Sequence, residues 1–224
     1  MIKLVIFDWD DVFTLGSKEG YIKCLHEALV SVGVHLEPAE EHRRILETWS
    51  NPHRDELRNL LREQPELLDK ACDNYERLFF GGTFTSALTY VKGANELLRR
   101  LKGKYKLAVA TGAHPIVLEE QVMPKFAVPK VFSQIISGYD INDSEKQKPH
   151  PHMLELIMKS EGALPSETVM VGDAKSDVNM ARAAGVTPVV VLTGHLSKKE
   201  AEEMAVEHII KDVALLESVL NNLS

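Results

Sequence analysis

Short apolar runs and helical stripes alternate along most of the chain. Residues Leu4 to Phe7 form an uninterrupted apolar run whose length suits a strand buried on both faces of a parallel sheet. Comparable runs recur later, separated by segments with apolar residues at helical spacing. This alternation predicts crossover connections and a Rossmann-like, doubly wound parallel α/β sheet. The later predicted strands are 106–111, 134–137, 168–171, 188–192 and 208–210.

The stretch between the first two predicted strands reads as helical throughout. Its apolar residues follow helical spacing, as with Leu57, Leu60 and Leu61. Asn51 followed by Pro52 predicts the start of one helix, because Asn caps a helix and Pro fits its first turn. We therefore expect an all-helical cap subdomain at 17–85, inserted into an α/β core domain made of 1–16 and 86–224.

Composition narrows the classes of partner. The 224 residues carry a formal net charge of −7, which disfavours nucleic acid and acidic membrane surfaces as partners. No window approaches the roughly 18 apolar residues of a membrane span, and the first apolar run ends in acids, unlike a signal peptide. The two cysteines lie far apart in helical patterns, which indicates buried thiols. We expect a cytoplasmic protein, with monomer and homodimer both open.

The first strand ends in three carboxylates, Asp8, Asp10 and Asp11. Alternation places Asp8 and Asp10 on the same side of the chain as it leaves the sheet. Ligands of open α/β sheets bind just outside the carboxyl ends of the strands. Like charges this close are costly unless a cation or a shared proton offsets them. The stretch therefore predicts a metal site, a catalytic carboxylate pair, or both; the alternative is a strand end with solvated acids.

Three later segments offer complementary groups at strand ends or in loops. Thr111 and Gly112 supply a hydroxyl and a backbone N–H, and Lys148 lies in a proline-rich loop. Asp173 and Asp177 follow another predicted strand. Phosphoryl transfer needs such groups, since it depends on positioning and on stabilising negative charge. Clustered carboxylates without His or Cys among them favour Mg²⁺ over Zn²⁺.

In order and context, these residues resemble the four motifs of the haloacid dehalogenase superfamily. The resemblance covers essentially the whole chain. It implies a Rossmann-like core and identifies the helical insertion with the family's helical cap. The motifs read Asp8-Trp9-Asp10-Asp11-Val12, then Thr111, then Lys148, then Gly172-Asp173 with Asp177.

The resemblance also implies roles for the acids. Asp8 would attack phosphorus and form an aspartyl-phosphate. Asp10 would protonate the leaving oxygen and then deprotonate the attacking water. Mg²⁺ would be held by Asp8, the carbonyl of Asp10, and Asp173.

The remaining motif residues would bind the substrate or support those that do. Thr111 and the Gly112 N–H would hold the phosphoryl oxygens, and Lys148 would neutralise them. Asp177 would hold Lys148 or a metal-bound water. In the cap, Arg54 is the leading candidate for a contact to the remote end of the substrate.

Two positions depart from the family pattern. Asp11 stands where the family usually has Gly, and Gly112 replaces a common Asn. Asp tolerates the left-handed conformation better than most residues, so it either preserves the turn or adds charge near the metal.

The resemblance implies a Mg²⁺-dependent phosphatase of small phosphorylated metabolites, similar to phosphoglycolate phosphatases. A phosphomutase similar to β-phosphoglucomutase shares these motifs and stays open. A non-enzymatic phosphoacceptor is a third possibility, against which the position of Asp10 and the insertion both speak. A dehalogenase ranks last, because dehalogenases of the superfamily lack an acid at the position of Asp10.

Overall fold

The computed structural model describes residues 1–49 and 52–223. The chain divides into two compact units. The α/β unit comprises Met1–Leu15 and Thr89–Ser224, and the helical unit comprises Gly16–Leu88. Asn51, which the sequence predicts as a helix N-cap, lies outside the described residues.

Six parallel strands form the main sheet of the α/β unit. A separate antiparallel pair is made by two short strands. In chain order, the strands are β1 (Leu4–Phe7), β2 (Thr14–Leu15), β3 (Thr89–Tyr90), β4 (Lys106–Thr111), β5 (Gln134–Ser137), β6 (Thr168–Gly172), β7 (Thr187–Val191) and β8 (His208–Ile210).

The main sheet has the strand order β5-β4-β1-β6-β7-β8. From β1 the chain builds outward to β5 on one side, and from β6 it builds outward to β8 on the other. The order therefore reverses between β1 and β6, which is where doubly wound sheets bind ligands. This topology confirms the predicted Rossmann-like fold.

The central strand β1 is completely enclosed. All four of its residues are fully buried, which explains its unbroken apolar sequence. Phe7 is paired with Val109 of β4 and with Val171 of β6. Asp8 therefore leaves the sheet between the ends of two neighbouring strands.

The helical unit contains helices and no strand among its described residues. α1 packs against α4 and α5. A Cβ on Gly20 would lie 2.8 Å from the Phe84 ring, so this close packing depends on glycine. The helices are α1 (Ser17–Ser31), α2 (Pro38–Glu47), α3 (His53–Leu60), α4 (Leu68–Phe80) and α5 (Thr83–Ala87).

Arg44 is a buried cation that joins helices of this unit. Its guanidinium donates to Glu63 at 2.5 and 2.8 Å, to Glu40 at 2.6 Å and to the Leu60 carbonyl at 2.9 Å. We expect Arg44→Ala to lower the free energy of unfolding by about 1–3 kcal/mol, because a carbonyl loses its donor and the buried stem is lost. Urea unfolding measures this change.

Arg43 provides the matched control. It also pairs with Glu40, but its side chain is half exposed. Exposed ion pairs stabilise by about 1 kcal/mol or less, so Arg43→Ala should be nearly neutral. Equal losses of stability in the two variants would contradict this account.

The α/β unit adds six α-helices among its described residues. Met153, Leu154 and Ile157 of one of them pack on the central strands to form a buried core. The helices are α6 (Ala94–Lys102), α7 (Met123–Lys125), α8 (His152–Glu161), α9 (Lys175–Ala183), α10 (Lys198–Glu203) and α11 (Leu216–Asn222). No described helix is long and apolar enough to cross a membrane.

Two local features differ from the sequence expectations. The predicted helix at 115–126 contains a π-helical stretch, Val117–Val122, before α7. Pro124 has no N–H to donate to the preceding turn, and a widened turn accommodates that loss. The antiparallel pair of β2 and β3 was not predicted, because two residues are too few to show alternation.

Candidate active site

The turn after β1 fixes the first carboxylate. The N–H of Asp8 continues the sheet ladder to the Val171 carbonyl at 2.8 Å. The N–H of Trp9 donates to Asp8 Oδ1 at 2.7 Å. Asp11 takes the left-handed conformation, with φ of 54°. The turn is therefore preserved with Asp in place of Gly.

Lys148 connects two site carboxylates. Its Nζ lies 2.9 Å from Asp8 Oδ1 and 2.8 Å from Asp177 Oδ1. Burial alone would lower the pKa of Lys148, but the charges of Asp177 and Asp8 outweigh it and raise the pKa above its ordinary value. The ammonium therefore stays charged at neutral pH and can neutralise anionic oxygens.

Asp177 joins Lys148 to the start of α9. Its Oδ2 accepts from the backbone N–H of Asp173 at 3.3 Å and of Ala174 at 3.1 Å. A Cβ on Gly172 would lie 2.4 Å from the Asp177 side chain. The close approach of Asp177 to the end of β6 therefore requires glycine at position 172.

Asp10 has an unusual proton affinity. Its Oδ1 accepts a hydrogen bond from the Thr14 hydroxyl at 3.2 Å. Burial, together with the charges of Asp8 and Asp11, raises the pKa of Asp10 to about 7. A carboxyl group in that range can give up and take back a proton at neutral pH.

Carboxylates from two strand ends converge closely enough to share a cation. Ligand oxygens of Asp8, Asp173 and Asp177 lie within 4.8 Å of one another. An oxygen-only donor set suits a hard divalent ion. A second group, made of Asp11, Asp173 and His195, meets the same distance limit and shares Asp173 with the first.

Thr111 and Gly112 lie at the end of β4, the neighbour of β1. Thr111 is fully buried, and its hydroxyl accepts from the Ala113 N–H at 3.1 Å. Among the described residues, no atom beyond those of its own chain neighbours lies within 4 Å of a Cβ placed on Gly112.

Arg54 belongs to the helical unit, where its guanidinium pairs with Asp69. The side chain is half exposed. Its contact with substrate stays a prediction.

His195 was missed by the sequence analysis. It follows β7, and its backbone N–H and ring Nδ1 each lie 2.8 Å from Asp173 Oδ2. The hydrogen bond to Asp173 raises the pKa of His195. The strand-end rule could have found it, because its loop follows the predicted strand 188–192.

Comparison with known proteins places the chain in a family. Residues 5–191 match the family described as haloacid dehalogenase-like hydrolase. The phosphoglycolate phosphatase of Escherichia coli (strain K12) is 35% identical over 149 residues, which cover 66% of this chain and 56% of the relative. The chain spans between 56% and 66% of the length of the Escherichia coli phosphoglycolate phosphatases that it matches.

Solved structures resemble nearly the full length of the chain. A HAD-superfamily hydrolase, subfamily IA, variant 1, from Geobacter sulfurreducens is 25% identical with a TM-score of 0.76, covering 98% of this chain and 96% of that one. A Thermotoga maritima protein proposed to be a β-phosphoglucomutase is 23% identical with a TM-score of 0.78, covering 100% of both chains, and shows the fold alone. Because the family match spans most of the α/β unit and includes the four motif segments, the chain belongs to the haloacid dehalogenase-like hydrolase family.

Proposed function

We propose that the protein is a Mg²⁺-dependent phosphatase that hydrolyses small phosphorylated metabolites through an aspartyl-phosphate on Asp8. The observation that carries the proposal is the position of Lys148 Nζ, 2.9 Å from Asp8 Oδ1 and 2.8 Å from Asp177 Oδ1. This places a buried cation against the proposed nucleophile, where it can also attract a phosphoryl group.

The first chemical step is attack by a carboxylate oxygen of Asp8 on phosphorus. A bond from Asp8 to phosphorus forms, and the ester bond from phosphorus to the leaving oxygen breaks. Asp10 gives its proton to that oxygen, which therefore leaves as an alcohol. The pKa of Asp10, about 7, suits this donation at neutral pH.

The second step regenerates the enzyme. Asp10, now a carboxylate, takes a proton from water as the water oxygen attacks the phosphorus of the aspartyl-phosphate. The bond between Asp8 and phosphorus breaks, inorganic phosphate leaves, and Asp10 again holds a proton. One side chain thus serves both steps, as its tuned proton affinity allows.

Charge on the phosphoryl group needs stabilisation in both steps. Lys148 supplies a fixed positive charge, and Thr111 and the Gly112 N–H supply donors at the end of β4. Mg²⁺, when bound, neutralises further negative charge on the phosphoryl oxygens. Its ligands would be Asp8, Asp173 and the carbonyl oxygen of Asp10, and the clustered acids suit such an ion.

Metal dependence is the direct test. We expect hydrolysis of p-nitrophenyl phosphate to stop in EDTA and to return when Mg²⁺ is added in excess, because the clustered acids repel an anionic substrate without a cation. Released phosphate is measured in both conditions. Full turnover in EDTA would refute the proposal.

Phosphomutase activity is the second candidate, because the resemblance implies that phosphomutases similar to β-phosphoglucomutase share the four motifs of this chain. A phosphatase releases inorganic phosphate from hexose phosphates, whereas a mutase isomerises them with little release. Product analysis with glucose 1-phosphate separates the two.

The names of the relatives guide the choice of substrates to test. Several are phosphoglycolate phosphatases, so 2-phosphoglycolate heads the panel of phosphorylated metabolites to be screened. The contribution of Arg54 to that choice, the cytoplasmic location and the state as monomer or homodimer remain predictions.

A further inference from the structure

The loop after β7 holds the carboxylate of Asp173. The backbone N–H and the ring Nδ1 of His195 both lie 2.8 Å from the same oxygen, Asp173 Oδ2. The N–H of Leu196 donates to the Asp173 carbonyl at 2.9 Å. Both the side chain and the main chain of Asp173 are therefore fixed by one short loop.

The close approach of this loop is built into its sequence. A Cβ on Gly194 would lie 1.9 Å from Asp173 Oδ2, so no other residue fits there without displacing the carboxylate. Thr193 Oγ1 donates to the Asp11 carbonyl at 2.5 Å. The loop is thus anchored to the turn after β1 and to the end of β6, the two segments that carry the site acids.

The hydrogen bonds from this loop to the Asp173 carboxylate fall on one of its two oxygens, which leaves the other oxygen for a ligand. Those that the described residues donate to the Asp173 side chain fall on Oδ2. Oxygens of Asp8, Asp173 and Asp177 come within 4.8 Å of one another. A carboxylate already oriented by donors binds a metal without first being ordered, and such donors commonly set metal affinity.

We propose that His195 is a positioning residue, which orients the Asp173 carboxylate for the divalent cation and thereby sets the affinity for that cation. It acts through Asp173 and takes no part in the bond-breaking steps. The inference rests on the proposed function for the place of the cation, but its test does not depend on turnover.

The exposure of the two residues fits this role. The His195 side chain is 57% exposed, whereas that of Asp173 is 3% exposed. The ring therefore adds little to the core, and its removal should leave the fold intact. Its contribution is the Nδ1–H donated to a buried acid.

The competing interpretation is that the ring binds a cation directly with Asp11 and Asp173. His195→Asn and the number of bound ions together separate the two interpretations. The Asn amide N–H can donate from about the place of Nδ1, but Asn has no imidazole nitrogen to offer a second ion.

The test is calorimetric titration of the metal-free protein with Mg²⁺. His195→Ala should raise the Kd for Mg²⁺ by about 10–100-fold, and His195→Asn should restore most of the affinity. The Mg²⁺ concentration for half-maximal activity should rise in parallel in His195→Ala, with kcat at saturating Mg²⁺ unchanged. His35→Ala, which removes an exposed histidine of the helical unit, is the matched control and should bind as the wild type does.

Several outcomes would overturn the proposal. The Kd of His195→Ala could equal that of the wild type, or the wild type could bind no Mg²⁺. Loss of one of two bound ions in both His195 variants would instead show a direct ligand. If the wild type binds Mg²⁺ yet hydrolyses no phosphate ester, the proposed function fails while the calorimetric comparison still decides the role of His195.

Discussion

Replacing Asp8 with Asn is expected to lower kcat for phosphate ester hydrolysis by about 10⁴-fold or more, because removal of a nucleophile costs that much in enzymes with covalent intermediates. The amide keeps the shape of the carboxylate but is a far weaker nucleophile. Lys148 would keep its contact with Asp177 at 2.8 Å, so the buried ammonium stays paired. Steady-state phosphate release measures kcat, and mass spectrometry of the protein detects the trapped aspartyl-phosphate, which should be missing in Asp8→Asn.

The control for Asp8→Asn is the same chemical change at an exposed site. Asp143 accepts from the N–H of Glu145 at 3.1 Å, and Asn caps such turns equally well. Asp143→Asn should therefore retain wild-type kcat and the same trapped aspartyl-phosphate. Substantial activity in a folded Asp8→Asn protein would exclude the covalent mechanism.

The position of the site followed from local sequence. An apolar run that ends in carboxylates predicts a buried strand with a polar site at its end, because burial on both faces demands apolar residues and strand ends return to solvent. The run Leu4–Phe7 became the fully buried central strand, and Asp8 emerges where the strand order reverses. The parallel topology then brings the ends of β4 and β6 beside it.

What the sequence did not show depends on contacts between distant residues. The strand-end rule marks the loop after β7 as a candidate position, but His195 meets Asp173 only because β7 lies beside β6, and strand periodicity does not reveal that pairing. The buried Arg44 of the helical unit looks like any charged helix residue until Glu63, far along the chain, is seen beside it. Such pairings are set by tertiary packing, which local patterns do not encode.

Replacing Asp10 with Asn is expected to change activity and stability in opposite directions. We expect kcat to fall by about 10²–10⁴-fold, since a general acid and base is lost. The metal-free protein should become more stable at pH 8, by up to roughly 4 kcal/mol, because folding no longer buries a carboxylate beside the charges of Asp8 and Asp11. Urea unfolding in EDTA measures the stability.

The sign of the effect follows from the shifted pKa of Asp10. Folding raises this pKa from 3.8 to about 7, so the folded state holds its proton more tightly than the unfolded state. The contribution of Asp10 to stability is therefore fully present below about pH 4 and is lost as the pH rises to 7. Asp10→Asn should accordingly gain stability over the wild type at pH 8 and gain little near pH 4.

Divalent metal distinguishes charge repulsion from a general packing effect. A cation among the carboxylates offsets their repulsion, so saturating Mg²⁺ should shrink the stability gain of Asp10→Asn at pH 8. Asp143→Asn, at an exposed site, should change the stability at pH 8 much less than Asp10→Asn does. A gain that is the same at pH 4 and pH 8 would contradict the argument, because only a carboxylate that ionises between those values gives the dependence. In that case ionisation of Asp10 would not be what destabilises the metal-free protein.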